Sequence, residues 1–189
     1  MNQLWQMWVG GLTPEAVQRI INRAELYPIE EAKLGFEGDQ KEKKSRSSTV
    51  RWVDVRDPDS KFIKDIIMYY ANSANRNAFG VDLTDVWDIQ YTIYDAKDDG
   101  HYDWHFDTFW ANPNAHDRKL SVTVQLTDGS EYEGGNFEID PQYEQPDRKA
   151  LRTLGTVLVF PSPIRHKVHK VTKGVRKSLV AWVEGPKWK

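Results

Sequence analysis

The stretch HYDWHFD, residues 101–107, carries histidine or aspartate at every second position: His101, Asp103, His105 and Asp107. Imidazole nitrogens and carboxylate oxygens hold divalent first-row metals, so the chemistry on offer is metal ligation. In a strand, side chains two apart share a face, which would turn all four the same way. A rise of about 3.3 Å per residue puts neighbours about 6.6 Å apart and the two ends near 20 Å. Metal–ligand bonds are about 2 Å long, so one ion on a flat strand takes an adjacent pair at most. The pairs are His101 with Asp103, Asp103 with His105, or His105 with Asp107.

A histidine and a carboxylate two apart, joined by one distant histidine, make the facial triad of non-haem Fe(II) sites. The remaining histidines are His116, His166 and His169. His116 lies in the turn-like NPNAHD and reads as an exposed loop residue. The other two fall in PSPIRHKVHKVTKGVRKSLVAWV, which reads as a hairpin with TKG (172–174) as its loop, glycine taking the left-handed position. That register pairs Val168 with Ser178 and His166 with Val180. It puts His166, Arg176, Ser178 and Trp182 on one face and His169 on the other. Arg176 then stands about 13 Å along the ladder from the level of His166. A guanidinium fork holds a carboxylate bidentately, so the hairpin could carry a metal at one end and an anchored five-carbon dicarboxylate at the other.

The elements that must position these groups follow from the rest of the chain. Thr13-Pro14 opens an amphipathic helix over 14–26, with Val17, Ile20, Ile21 and Ala24 at helical spacing. Residues 30–48, with KEKK at 41–44, read as a solvated charged loop, a flap over a site being the sharper alternative. STVRWVDV (48–55) alternates as a strand. Asp57-Pro58 starts a second helix that runs to about residue 76. From residue 86 the pattern changes to short strand-like runs separated by Gly, Pro and Asp clusters. Helices followed by many strands predict an α+β chain, mostly β, whose main body is a sandwich or barrel. In RKLSVTVQL, Leu120, Val122, Val124 and Leu126 take one face and Ser121, Thr123 and Gln125 the other. Alternation alone favours water as the surroundings of that polar face; a ligand-filled interior is the other option.

The 189 residues suit one domain with a real core. A net charge of −2 gives no electrostatic footprint for nucleic acid. The absence of cysteine excludes thiol catalysis, disulfides, iron–sulfur clusters and cysteine-ligated zinc. No signal peptide or membrane span is expected, so a soluble, cytoplasmic protein is the expectation.

With these residues in place, the chain resembles the Fe(II)/2-oxoglutarate-dependent oxygenases, in particular the prolyl 4-hydroxylase-like group with its PKHD-type hydroxylases. The resemblance spans about residues 87–186. It rests on QYTIYDAKDDGHYDWHFD, RKLSVTVQLTDGSEYEGGNFEI and GTVLVFPSPIRHKVHKVTKGVRKSLVAWVEGP, in that order. The family pattern of Tyr, two residues and His-x-Asp is met by Tyr102, His105 and Asp107, which leaves His101 and Asp103 outside. A distal histidine ten residues before a cosubstrate-binding Lys or Arg is met by His166 and Arg176.

The resemblance implies an iron site of His105, Asp107 and His166, with Arg176, Tyr94 and Ser121 on the distal carboxylate of 2-oxoglutarate and Trp182 near the iron. It turns the polar face of RKLSVTVQL inward. It implies one domain, 1–189, with a helical part over about 1–80 and a double-stranded β-helix (jelly-roll, cupin-like) core over about 86–186. Fe(II), 2-oxoglutarate, O2 and ascorbate are the cofactors it implies. A prolyl or other peptidyl or amino-acid substrate is implied too, with succinate and CO2 as products. Trp104, Phe106, Phe109 and Trp110, around the metal motif, are candidates for a substrate wall. The rival from another class is a jelly-roll protein that binds a metal or other ligand without catalysis; it gives Arg176 no reason to stand at cosubstrate spacing. A halogenase would carry a small residue in place of Asp107.

Overall fold

The computed structural model describes residues 4–32, 45–108, 110 and 113–188. The charged stretch expected as a loop or flap lies largely outside the described residues, as does Phe109.

Helix α1 spans Pro14–Ala24, with the Thr13 hydroxyl accepting the Ala16 N–H and proline in its first turn. Helix α2 spans Lys61–Ala74 after a short turn at Pro58–Ser60, and a π-turn carries it on to Phe79 before Gly80 ends it at φ +62°. A third, short helix, α3, covers Arg148–Arg152. The strands are β1 (Gln6–Trp8), β2 (Glu30–Glu31), β3 (Arg46–Ser47), β4 (Thr49–Val53), β5 (Asp85–Asp95), β6 (His101–His105) and β7 (His116–Gln125). They continue as β8 (Glu133–Gly134), β9 (Phe137–Ile139), β10 (Val157–Pro161), β11 (His166–Val168), β12 (Val171–Lys173) and β13 (Val175–Pro186).

Seven strands form one sheet in the order β1-β10-β7-β13-β5-β4-β2, four form a second in the order β3-β6-β11-β9, and β12 pairs with β8. This mostly β, antiparallel architecture is the expected jelly roll, with helices on one side. Val17, Ile20 and Ala24 of α1 and Ile63, Ile67 and Ala71 of α2 share one core with Ile89, Leu120, Val122, Val124, Leu179, Ala181 and Val183 of the large sheet. The apolar faces of β5, β7 and β13 therefore pack on the helices. Their opposite faces, including Ser121 and Thr123, line a cavity between the sheets. The inward reading of the polar face is the one the structure shows.

The expected hairpin does not form. His166–Val168 pairs with β6 and β9, in the small sheet, while β13 enters the large sheet between β5 and β7. At Gly174, φ +73°, the backbone packs so close to the Glu131 carbonyl that a side chain would not fit. The chain crosses there from one sheet to the other. Local turn chemistry is satisfied either way. The crossing wins because it pairs both edges of β13 and buries Leu179, Ala181 and Val183 fully against the helices. A hairpin would pair one edge.

Candidate metal centre

His105 ends β6 and His166 begins β11, and the two are direct partners across the ladder. The register slips by one residue just beyond them, so Val168 faces Tyr102. This β-bulge breaks the simple alternation expected for HYDWHFD. Tyr102 and His105 come to line the same cavity, while His101 lines a separate cleft near Asp95, Asp98 and Asp99. The four-on-one-face expectation fails for that reason.

Asp107 follows β6, its backbone N–H donating to the Ser162 carbonyl at 3.1 Å. One ligand atom from each of His105, Asp107 and His166 falls within 4.8 Å of the others. His105 Nε2 lies 3.6 Å from Asp107 Oδ1, and His166 Nε2 lies 3.5 Å from Asp107 Oδ2. Each ring points its Nδ1 at a backbone carbonyl, His105 at Asp103 (2.7 Å) and His166 at Ile164 (2.9 Å). A carbonyl only accepts, so each Nδ1 carries a proton, and in the neutral imidazole Nε2 is then left with a lone pair. Two lone pairs and a carboxylate thus converge with no proton between them, a donor set that fits a divalent metal.

Packing fixes the rings. Tyr102 stacks on His105 with centroids 3.4 Å apart, and Phe160 meets His166 edge-on at 4.8 Å. Burial, and then the nearby His166, pulls the His105 pKa down to about 3, so the imidazole is neutral near pH 7. Burial alone would raise the Asp107 pKa. His166, His105, the Ser121 hydrogen bond and Arg118 outweigh it and hold the carboxyl below its ordinary range.

A cavity between the two sheets ends on these ligands. Arg176 lines it at 5% exposure, and among the described residues no carboxylate pairs with it. Two buried polar atoms without partners, Ser178 Oγ and Trp182 Nε1, belong to residues lining the same cavity. Unpaired buried charge is costly, and an anion bound against Arg176 would offset it. Tyr94 lies beside Arg176, whose guanidinium carbon is 5.6 Å from the ring centre, and burial raises the phenol pKa so that it stays a donor. The expected face of His166, Arg176, Ser178 and Trp182 is therefore assembled, from two sheets instead of one hairpin.

The remaining candidates make other contacts. Ser121, expected beside the distal carboxylate, commits its proton to Asp107 Oδ2 at 2.7 Å. Asp103 contributes its backbone, and its exposed carboxylate accepts the Trp104 N–H. His116 packs on Trp87, and His169 pairs with Glu138. Trp104 lies between Arg165 and Lys167, and Phe106 and Trp110 are exposed, so these three do not line the cavity. Its aromatic wall is Tyr94, Tyr102, Phe137, Phe160 and Trp182.

Sequence reasoning misses Arg46. It is buried against the cavity, donates to Gln90 Oε1 (2.8 Å) and Ser48 Oγ (2.8 Å), and lies over the Tyr102 ring. Its one sequence signal is its place just before a strand, at the end of a charge-rich stretch.

An antiparallel jelly roll holding two histidines and a carboxylate on one face of its cavity defines the class of facial-triad, non-haem iron proteins. The family model of the 2OG-Fe(II) oxygenase superfamily matches residues 89–184, just over half of the chain, and the chain belongs to that superfamily. A PKHD-type hydroxylase of Synechococcus sp. (strain CC9311) is 37% identical over 95 residues, covering 50% of this chain and 41% of that protein. Another, from a strain of Prochlorococcus marinus, is 35% identical over 83 residues, 44% of this chain and 36% of that protein. The chain thus spans about two-fifths of the length of the curated relatives it matches. Among solved structures, a Pseudomonas putida prolyl-4-hydroxylase superimposes with a TM-score of 0.71 at 16% identity, covering 97% of this chain and 94% of that one. A Trichoplax adhaerens prolyl hydroxylase, solved with a hypoxia inducible factor peptide, gives 0.72 at 16% identity, covering 95% and 83%. These likenesses carry the fold. No helix among the described residues is long and apolar enough to cross a membrane.

Proposed function

We propose that the protein is an Fe(II)- and 2-oxoglutarate-dependent dioxygenase that hydroxylates a C–H bond of a prolyl or other peptidyl or amino-acid substrate, releasing succinate and CO2. The observation that carries this reading is the cavity itself. It presents a convergent His105–Asp107–His166 donor set and a buried Arg176 with no acidic partner among the described residues. A purely metal-binding jelly roll has no use for the second feature.

His105, Asp107 and His166 would hold Fe(II), leaving open coordination positions. When bound, the iron supplies O2 activation coupled to oxidative decarboxylation of 2-oxoglutarate. Arg176 would clamp the distal carboxylate with its fork, and Tyr94 would donate to the same group from beside it. Ser178, two residues along β13 and without a partner, is better placed for that carboxylate than Ser121, whose proton is already used. Trp182 and Phe160 exclude water from the metal side of the cavity. Ascorbate would serve as an external reductant. The one-domain organisation over 1–189 and a cytoplasmic setting are carried into the proposal from the sequence. A prolyl substrate stands first because two proteins of like fold are prolyl hydroxylases.

The test is succinate release from 2-oxoglutarate by the Fe(II)-loaded protein, screened over proline-containing peptides, other peptides and free amino acids. Substrate-stimulated succinate with an oxygenated product supports the reading. Tight Fe(II) binding with no 2-oxoglutarate turnover under any condition would favour the non-catalytic binder.

A further inference from the structure

Ser162 is fully buried and linked to Asp107 by two routes, one direct and one through Ser121. Its carbonyl accepts the Asp107 N–H at 3.1 Å, fixing the backbone. Its hydroxyl lies 3.0 Å from the Ser121 hydroxyl, which in turn donates to Asp107 Oδ2 at 2.7 Å. Ser121 is 1% exposed. Proton counting orients the pair. Ser121 has one O–H, and a carboxylate can only accept it, so the proton between the two serines belongs to Ser162. The chain runs one way, Ser162 to Ser121 to Asp107 Oδ2, and each bond strengthens the next.

We infer that Ser162 and Ser121 are positioning residues whose hydroxyl chain ties down Asp107 Oδ2, so that Asp107 offers a metal one oxygen, Oδ1, rather than two. A carboxylate free to rotate could bind through both oxygens and occupy a coordination position that the proposed chemistry needs open. The inference rests on the metal-site reading above. It also reassigns Ser121 from the cosubstrate to the metal ligand.

The experiment is Mn(II) binding by calorimetry without 2-oxoglutarate, on the wild type, Ser121→Ala, Ser162→Ala, the double variant and Ser121→Thr, followed by 2-oxoglutarate binding to each Mn(II)-loaded protein. Outer partners of metal ligands are worth about 10–100-fold in affinity, so Ser121→Ala should weaken Mn(II) binding by that amount. Ser162→Ala should cost less, and the double variant no more than Ser121→Ala alone, because the two act in series. Ser121→Thr keeps the hydroxyl and should restore binding, which separates positioning from packing. Loss of 2-oxoglutarate binding in Ser121→Ala, with both Mn(II) and 2-oxoglutarate binding unchanged in Ser162→Ala, would return Ser121 to the cosubstrate and overturn the inference. So would additive losses in the double variant, or no loss in Ser162→Ala. A wild type that binds no Mn(II) would instead sink the metal-site reading beneath it.

Discussion

His105 and His166 are direct partners across the antiparallel β6–β11 ladder, their ring centres 4.2 Å apart. Partners in such a ladder share a face, so one pairing brings together two ligands separated by about sixty positions in the chain. Asp107 completes the set because Ser162 fixes its backbone just past the end of β6. The first prediction follows from this. Ala at His105, Asp107 or His166 should each weaken Mn(II) or anaerobic Fe(II) binding by more than the roughly 100-fold that loss of an outer partner can cost. His101→Ala should bind within about twofold of wild type, since its ring turns to Asp99 in another cleft. Calorimetric titration checks all four.

Arg176 supplies the second. Removing one member of a buried charge pair costs about 2–5 kcal/mol, so Arg176→Met should raise the 2-oxoglutarate Kd by about 30-fold or more and leave metal affinity unchanged. In the ligand-free protein the guanidinium has no acidic partner among the described residues. Arg176→Met should therefore leave the Tm of the ligand-free protein the same or higher. A large drop in Tm would mean that Arg176 has a structural partner.

Gly135 gives the third. It sits at φ +61°, where a Cβ would come 3.0 Å from Val171 Cγ2 and 3.1 Å from Arg176 Cδ. Gly135→Ala combines backbone strain of about 1–3 kcal/mol with pressure on the Arg176 stem. Reduced Tm together with weaker 2-oxoglutarate binding is expected, with Mn(II) affinity nearly retained.

The fourth concerns pH. His105 has its pKa lowered from 6.5 to about 3 in the fold, so between those values the unfolded chain binds the extra proton. Stability then rises with pH across that window and is lost as pH falls from about 6.5 toward 3. The depressed carboxyl of Asp107 acts in the same direction, but only below its ordinary 3.8. Urea midpoints of the metal-free protein should fall steadily from about pH 6.5 to about pH 4.5. In His105→Asn that slope should flatten.

Much of this site is legible in the sequence because it depends on short-range order. The His-x-Asp spacing, the two-faced alternation of β7 and the capped start of α1 each express a local period. What the sequence hides is pairing. TKG satisfies a hairpin as well as a sheet crossing, and only the burial of Leu179, Ala181 and Val183 decides between them. The bulge that parts His101 from His105 leaves no mark in HYDWHFD, since it is set by where β11 lands. Arg46 is a buried cavity residue beside a charge-rich stretch, and the Ser121–Asp107 hydrogen bond joins residues that no local spacing pairs.

The most direct measurement is anaerobic addition of 2-oxoglutarate to the Fe(II)-loaded protein, followed by visible absorption. A weak charge-transfer band should appear on addition, at saturation with one 2-oxoglutarate per iron, and should be missing in Asp107→Ala. A fully iron-loaded wild type that shows no band at saturating 2-oxoglutarate would contradict the account.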